Sequence, residues 1–268
     1  MHRGRSPCTQ TGFGVDAGDL LRSCDAAGPR SQAPERCFTP ATRDAMTSPT
    51  PVDQAKTAPF DAHYARYERW FDKHQAAYVS ELLALRPFVP WEGCGLEVGV
   101  GTGRFAGPLG VGVGVDPSPA MLAHAAARGI AVVEGVAEDL PFGSGAFDYV
   151  LVVTTICFVD SPERMLTEAH RVLKPGGRLV IGFIDRDSAL GRHYLAHQAE
   201  SVFYREATFY SSDEVERLLR QSGLSVDAWA ETLAHPLPET RRMEALRPGR
   251  GRCAFVVVSA STGRRRRA

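Results

Sequence analysis

The 268-residue sequence predicts an α/β fold: a doubly wound, mainly parallel sheet within a single domain. Two observations carry this prediction. From residue 95 onward, short apolar runs alternate with segments of helical periodicity. The longest apolar run, residues 147–159, is rich in β-branched and aromatic residues, which is typical of a central strand buried on both faces.

Bulk composition narrows the function classes. The chain is 44% apolar and 23% charged, as is usual for a globular protein. Neither a long apolar span nor an apolar leader is evident, so we expect a cytoplasmic protein without a membrane partner. Net charge is zero, and the chain between its termini is mildly acidic, which argues against a nucleic-acid partner. The six cysteines form no C-x-x-C pair, and no metal is expected.

Domain boundaries follow from composition. Residues 1–58 are rich in Gly, Ser, Pro, Thr and Ala, which predicts a disordered N-terminal extension. Met46 begins a plausible alternative start within it. Residues 59–260 form the predicted domain, and residues 261–268 form a basic, solvated C-terminal tail. A helix is predicted at the start of the domain, where Tyr67, Trp70, Phe71 and His74 begin an apolar stripe that continues to Leu85.

The first strand ends in the loop L-E-V-G-V-G-T-G-R-F-A, residues 96–106. Such a loop brings bare backbone to the carboxyl edge of the sheet, where doubly wound folds bind ligands. The dinucleotide fingerprint requires a third glycine where Arg104 stands. The pattern here is instead acid-x-G-x-G-x-G, led by Glu97.

The second strand, V-G-V-G-V-D, ends at Asp116, 19 residues after Glu97. A carboxylate at this place suits hydrogen bonds to the vicinal hydroxyls of a ribose. A helix opens at Pro119, and the third strand leads into A-E-D-L-P-F, residues 137–142. This order of strand, carboxylate and helix favours a nucleoside-containing ligand.

The fourth strand ends at Thr154 and Thr155, and the next helix begins at S-P-E-R with Ser161 as its cap. The turn K-P-G-G-R-L leads into a fifth strand that ends near Asp185. Thr154, Thr155 and Asp185 are therefore the candidates to orient a substrate at this edge. Weaker candidates are His74, His193 and Tyr204. Residues 185–210 form an insertion that we interpret either as a substrate-facing segment or as a packed helical hairpin. Two later strand-like runs complete the sheet.

Three of these motifs together resemble class I S-adenosylmethionine (SAM)-dependent methyltransferases of the type 11, small-molecule group: the acid-led glycine loop, V-D-P-S-P-A-M-L and H-R-V-L-K-P-G-G-R-L. The resemblance implies a Rossmann-like seven-stranded sheet of order 3-2-1-4-5-7-6, with the last strand antiparallel. It also implies that Tyr64, Tyr67 and Trp70 can cover the cofactor. Val136 stands where the family usually has an aspartate. The implied cofactor residues are Glu97, Gly99, Gly101, Gly103, Asp116, Met121, Ala137, Glu138 and Thr154.

The implied activity is transfer of the methyl group of SAM to a small-molecule acceptor by in-line displacement, at an O, N, S or C atom. T-T-I-C replaces the N-P-P-Y-type signature of amino-group nucleic-acid methyltransferases, which argues against DNA. Two alternatives stay open. One is an NAD(P)-binding oxidoreductase, against which Arg104 and the absence of a Y-x-x-x-K pair argue. The other is a SAM-binding protein without catalysis.

Overall fold

The computed structural model describes residues 56–263. Most of the predicted disordered extension, including Met46, and the arginine run from Arg264 to Arg267 lie outside these residues. Within the described part of the chain, no helix is long and apolar enough to cross a membrane. The longest helices have 11 residues, about half of the roughly 20 that a crossing requires.

One eight-stranded sheet organises the fold, in the order β3-β2-β1-β4-β5-β8-β6-β7. Strands β1 to β5 are parallel, and β8 runs antiparallel between β5 and β6. The Rossmann-like order predicted from the sequence is thus confirmed, with β8 as the predicted seventh strand. The difference is β7, a two-residue edge strand. The strands are β1 (Gly95–Val98), β2 (Val113–Asp116), β3 (Ala131–Glu134), β4 (Phe147–Val153), β5 (Leu173–Ile184), β6 (Leu224–Thr232), β7 (Arg247–Pro248) and β8 (Phe255–Thr262).

Helices cover both faces of the sheet. Their starts follow the capping signals in the sequence: Ser118 and Ser161 each accept a backbone N–H with proline as the next residue, and Ser211 forms a capping box with Glu214. The described residues contain α1 (Ala58–Ala62), α2 (Tyr64–Lys73), α3 (Gln75–Leu85), α4 (Ala106–Leu109), α5 (Pro119–Ala127), α6 (Pro162–Val172), α7 (Ala189–Ala196) and α8 (Ser212–Gln221).

Strand β4 is buried on both faces, as its apolar run predicts. Val150 and Val152 pack into the core on one side of the sheet, and Tyr149 and Leu151 pack into the core on the other. Alternate residues of a strand point to opposite faces. Each face of the sheet is therefore covered by a hydrophobic core, and the polar loops collect at the carboxyl edge.

The predicted N-terminal helix is broken into α1, α2 and α3 at His63 and His74, whose backbone angles leave the helical region. The break at His74 is a bend rather than an end, because its N–H still donates to the carbonyl of Trp70 at 2.9 Å. Helix α3 packs against β5, β6 and β8, whereas α2 contacts the loop after β1. A single straight helix does not reach both surfaces.

Candidate functional site

A cavity of about 390 Å³ opens at the carboxyl edge of the sheet. One side, called here the loop wall, consists of the loops after β1, β2 and β3. The other side, called the aromatic wall, consists of rings from α1, α2, the β4 exit and the insertion. Residues of the loop wall include Gly99, Gly101, Asp116, Met121, Ala137 and Glu138, and those of the aromatic wall include Phe60, Tyr67, Phe158, Tyr194, Phe203 and Tyr204.

The glycines of the loop after β1 have different surroundings. Gly99 has φ +70°, and a Cβ there would lie 2.3 Å from Thr155 Oγ1, so packing alone requires glycine. Gly101 has φ +51°, and its Cβ position meets only the Tyr67 ring, with the hydroxyl at 3.3 Å. Gly103 lies off the cavity, where a Cβ would come within 2.4 Å of Ile130 Cδ1. Of these three glycines, Gly101 presents the most open backbone to the cavity.

Glu97 lies behind this loop and is 1% exposed. The structure does not place it among the residues that line the cavity. Burial raises the pKa of its carboxyl, although a hydrogen bond from the backbone of Ala106 acts in the opposite direction. Its Oε2 atom is buried without a hydrogen-bond partner. Glu97 is thus an incompletely satisfied polar group directly beneath the loop.

Asp116 lies at the tip of β2 and lines the cavity. Its Oδ2 accepts the N–H of Gly101 and its Oδ1 accepts the N–H of Ser118, both at 2.9 Å. Burial raises the pKa of Asp116 to about 6, and the charge of Asp61 adds to this, while the two hydrogen bonds lower it. A carboxylate oxygen has two lone pairs, so each oxygen can accept one further hydrogen bond.

Glu138 contributes to the cavity wall, and one oxygen of its carboxylate is already engaged. Oε1 accepts the backbone N–H groups of Asp160 at 2.7 Å and of Ser161 at 3.3 Å. These bonds tie the β3 exit to the β4 exit. Beside it, Ala137 and Val136 are 8% and 6% exposed and give this part of the loop wall an apolar surface.

The two threonines at the β4 exit line the cavity. Thr154 has φ +53°, a strained conformation for a β-branched residue, and its N–H donates to the carbonyl of Gly182 at 2.7 Å. The hydroxyl of Thr155 donates to the carbonyl of Val153 at 3.1 Å. Within residues 56–263 the Thr154 hydroxyl has no such bond, which leaves it available to a ligand.

Asp185 lies outside the cavity lining. Its side chain is buried, at 4% exposed. Its Oδ1 accepts the N–H of Asp187 at 2.8 Å. Its Oδ2 accepts both the N–H of Ser212, at 3.1 Å, and the Ser212 hydroxyl. The carboxylate thus joins the end of β5 to α8. His74 and His193, the weaker candidates, also lie off the lining, whereas Tyr204 is part of it.

Residues 56–74, called here the cover segment, are fastened to three strand exits. Lys56 forms an ion pair with Asp160 at 2.9 Å, and Asp61 accepts the hydroxyl of Ser118. The third anchor is Glu68, which accepts hydrogen bonds from Thr102 at 2.5 Å, from Arg104 at 2.6 Å and from Arg128 at 3.0 Å. Arg104, which replaces the third glycine of a dinucleotide loop, therefore binds the cover segment.

Sequence reasoning missed Glu81. This residue of α3 is 4% exposed and lines the cavity, and burial raises the pKa of its carboxyl to about 8. The available signal was a carboxylate in the middle of the otherwise apolar run A-A-Y-V-S-E-L-L-A-L. An isolated acidic residue at a helix position that periodicity assigns to the core is a candidate for function.

Comparisons with known proteins agree with this geometry. Residues 96–181 match the family model of a methyltransferase domain. A solved structure from Thermotoga maritima, described as a SAM-dependent methyltransferase and possible histamine N-methyltransferase, is 46% identical with a TM-score of 0.75; the match covers 77% of this chain and 99% of that one. An uncharacterized protein of Methanocaldococcus jannaschii is 41% identical over 75% of this chain and 97% of its own. A ubiquinone biosynthesis O-methyltransferase of Cereibacter sphaeroides is 26% identical over 67% and 85%.

Proposed function

Because this chain belongs to the SAM-dependent methyltransferases, we propose that it transfers a methyl group from SAM to a small-molecule acceptor bound between the loop wall and the aromatic wall. The observation that carries this proposal is one continuous cavity that joins both walls. Its volume of about 390 Å³ lies within the range of small-molecule sites.

The residues of the loop wall fit the cofactor. The Gly101 backbone is open to the cavity at a position that a Cβ would fill, and Glu97 keeps an unpartnered oxygen beneath the same loop. A buried acidic group here suits a cofactor whose cationic amino group and sulfonium favour its charged form, and it disfavours the pyrophosphate of a dinucleotide.

Each contact has a proposed role. Asp116 would accept hydrogen bonds from the ribose hydroxyls through the lone pairs that Gly101 and Ser118 leave unused. Met121 and Ala137 would flank the adenine with apolar surface. Gly99 and Gly101 would allow close approach of the backbone. When bound, SAM supplies a methyl group on a positively charged sulfur that leaves as a neutral thioether.

The remaining task of the protein is to position the acceptor in line with that methyl group. Thr154 offers a hydroxyl that is unbonded within the described residues and lies at the junction of the two walls. Thr155 acts indirectly, because its hydroxyl is held by the Val153 carbonyl and its side chain packs against Gly99. The aromatic wall excludes water from the reacting atoms. We do not assign Asp185 a catalytic role, since its carboxylate is bonded elsewhere.

The test is transfer of label from methyl-labelled SAM into a cell extract treated with the full-length protein. We expect the label in acid-soluble compounds, and less of it with Gly101→Ala when SAM is limiting. Histamine is the first pure compound to test, because the Thermotoga maritima structure is described as a possible histamine N-methyltransferase. Label in precipitated protein or nucleic acid would overturn the small-molecule proposal. SAM binding without any labelled product would favour the non-catalytic alternative.

A further inference from the structure

Glu81 is a buried carboxyl that faces the cavity and that the cofactor contacts described above do not use. It is 4% exposed and belongs to the cavity lining. Within residues 56–263, its carboxyl has neither a hydrogen-bond partner nor an ion-pair partner. Burying an ionisable group in this way is costly unless a partner of opposite charge arrives. The position therefore points to a ligand.

The surroundings of Glu81 place it toward the aromatic wall. Burial is the largest cause of the raised pKa of Tyr194, and the charge of Glu81 is the second. The charge of Glu81 also contributes to the raised pKa of Tyr204, after burial. The rings of these two tyrosines are stacked, with centroids 4.9 Å apart. The charges of Glu97 and Asp116, by contrast, raise the pKa of Tyr67, on the side of the glycine loop. Helix α3, which carries Glu81, packs against β5, β6 and β8, so Glu81 lies on the side of Tyr194 and Tyr204 and away from the glycine loop after β1.

A carboxylate beside aromatic rings is suited to one class of ligand. An ammonium group can form an ion pair with the carboxylate while its neighbouring carbon atoms contact the ring faces, which attract cations. Resting on the function proposed above, we propose that the methyl acceptor is a small amine and that Glu81 binds its amino group. In the free protein at pH 7 the carboxyl is mainly neutral, because burial raises its pKa to about 8. Binding of an ammonium ion favours the charged form and releases that proton. Before transfer, the ammonium gives one proton to the Glu81 carboxylate. The freed nitrogen lone pair then forms the N–C bond while the methyl–sulfur bond breaks and its electron pair stays on sulfur.

The α-amino group of SAM is also a cation that can form an ion pair with the Glu81 carboxylate. The experiment must therefore measure cofactor binding and amine binding separately. Calorimetry on the full-length protein does so, with S-adenosylhomocysteine as the first ligand. The second ligand is 2-phenylethylamine, compared with 2-phenylethanol, which has the same shape without the charge. Glu206→Gln is the matched control, because Glu206 is an exposed glutamate of the insertion.

For the wild type and the Glu206→Gln control, we expect S-adenosylhomocysteine to bind, and 2-phenylethylamine then to bind at least tenfold more tightly than 2-phenylethanol. Glu81→Gln should keep the affinity for S-adenosylhomocysteine within twofold and lose the preference for the amine. The proposal is overturned if the wild type shows no preference or if the preference survives in Glu81→Gln. It is also overturned if Glu81→Gln weakens S-adenosylhomocysteine instead, which assigns the carboxylate to the cofactor. Failure of the wild type to bind S-adenosylhomocysteine would contradict the proposed function itself.

A measurement on the wild type keeps the proposal testable if Glu81→Gln does not fold. Heats of 2-phenylethylamine binding, compared in two buffers of different ionisation enthalpy, give the number of protons released. Because burial raises the pKa of the Glu81 carboxyl to about 8, amine binding at pH 7 should release a large part of a proton per amine. Tyr194 and Tyr204 are neutral at this pH, and His197→Gln, which removes an imidazole from the cavity lining, should leave the release unchanged. Absence of proton release would contradict the assignment.

Discussion

Replacing Gly101 with alanine tests whether a ligand approaches the glycine loop as closely as the geometry suggests. A methyl group at this position meets only the ring of Tyr67 in the free protein, with the hydroxyl at 3.3 Å. The cost to folding is then that of placing alanine at φ +51°, about 1 kcal/mol, which lowers Tm by about 2–4 °C in a domain of this size.

Gly110 is the matched control. It ends α4 with φ +75°, is exposed, and has open space around its Cβ position. Gly110→Ala should therefore lower Tm by a similar amount. The two variants should differ in cofactor binding, since Gly101 lines the cavity and Gly110 does not. Intrusion of one methyl group into a packed contact costs about 1–3 kcal/mol, which corresponds to a loss of affinity of about fivefold to about 150-fold.

The assay is thermal denaturation of both variants together with calorimetric titration of S-adenosylhomocysteine. Gly110→Ala should bind it like the wild type, and Gly101→Ala should bind it more weakly by the stated factor. Wild-type affinity in a folded Gly101→Ala protein would refute the close approach of the cofactor to this backbone. A Tm for Gly101→Ala far below that of Gly110→Ala would refute the inference that the space beside Gly101 is open.

Further predictions for three residues concern charge and strain. Because burial raises the pKa of Asp116 to about 6, affinity for S-adenosylhomocysteine should fall as pH decreases through 6, and Asp116→Asn should remove this pH dependence. The folded state holds that proton more tightly than the unfolded chain. The contribution of Asp116 to the free energy of unfolding should therefore decrease as pH rises from about 4 to about 6. Denaturant titrations of the wild type and Asp116→Asn at several pH values measure this difference and check its sign. Glu68→Gln leaves Arg104 and Arg128 without their shared carboxylate and should lower the free energy of unfolding by about 1–3 kcal/mol, whereas an unchanged denaturation midpoint would contradict the anchoring role. A positive φ at Thr154 is a strain of about 1–3 kcal/mol, which Thr154→Gly relieves. This variant should keep or raise Tm while methyl transfer slows. Wild-type activity in Thr154→Gly would show that the Thr154 hydroxyl has no role in the site.

The sheet was predictable because its strands are apolar and the helices between them begin at strong signals such as Pro119 and Pro162. Strand β7 was not, since Arg247 and Pro248 carry no alternation that a pattern could detect. The break of the first helix at His74 was also hidden, because the apolar stripe continues across it and the bend depends on tertiary contacts.

The site was predictable where a role follows from backbone position, as for Asp116 at the end of β2. It was not predictable where a role depends on which way a side chain faces. Glu97 and Asp185 stand at the expected strand ends, yet both are buried and neither lines the cavity. Glu81 shows the converse, because only the packing of α3 against the sheet brings it to the cavity.

The anchors of the cover segment have a practical consequence for protein production. The eight strands described between residues 56 and 263 all lie after residue 94, so a shortened protein that begins at Gln75 would retain the sheet and most of its core. It would lack Phe60, Tyr67 and Trp70 from the cavity lining, together with Lys56, Asp61 and Glu68. Such a protein would be expressed, remain in solution and unfold cooperatively. These measurements would not reveal that its cavity has lost the cover segment. We expect such a protein to have lost methyl transfer, so an expression clone for activity assays should begin at or before Lys56.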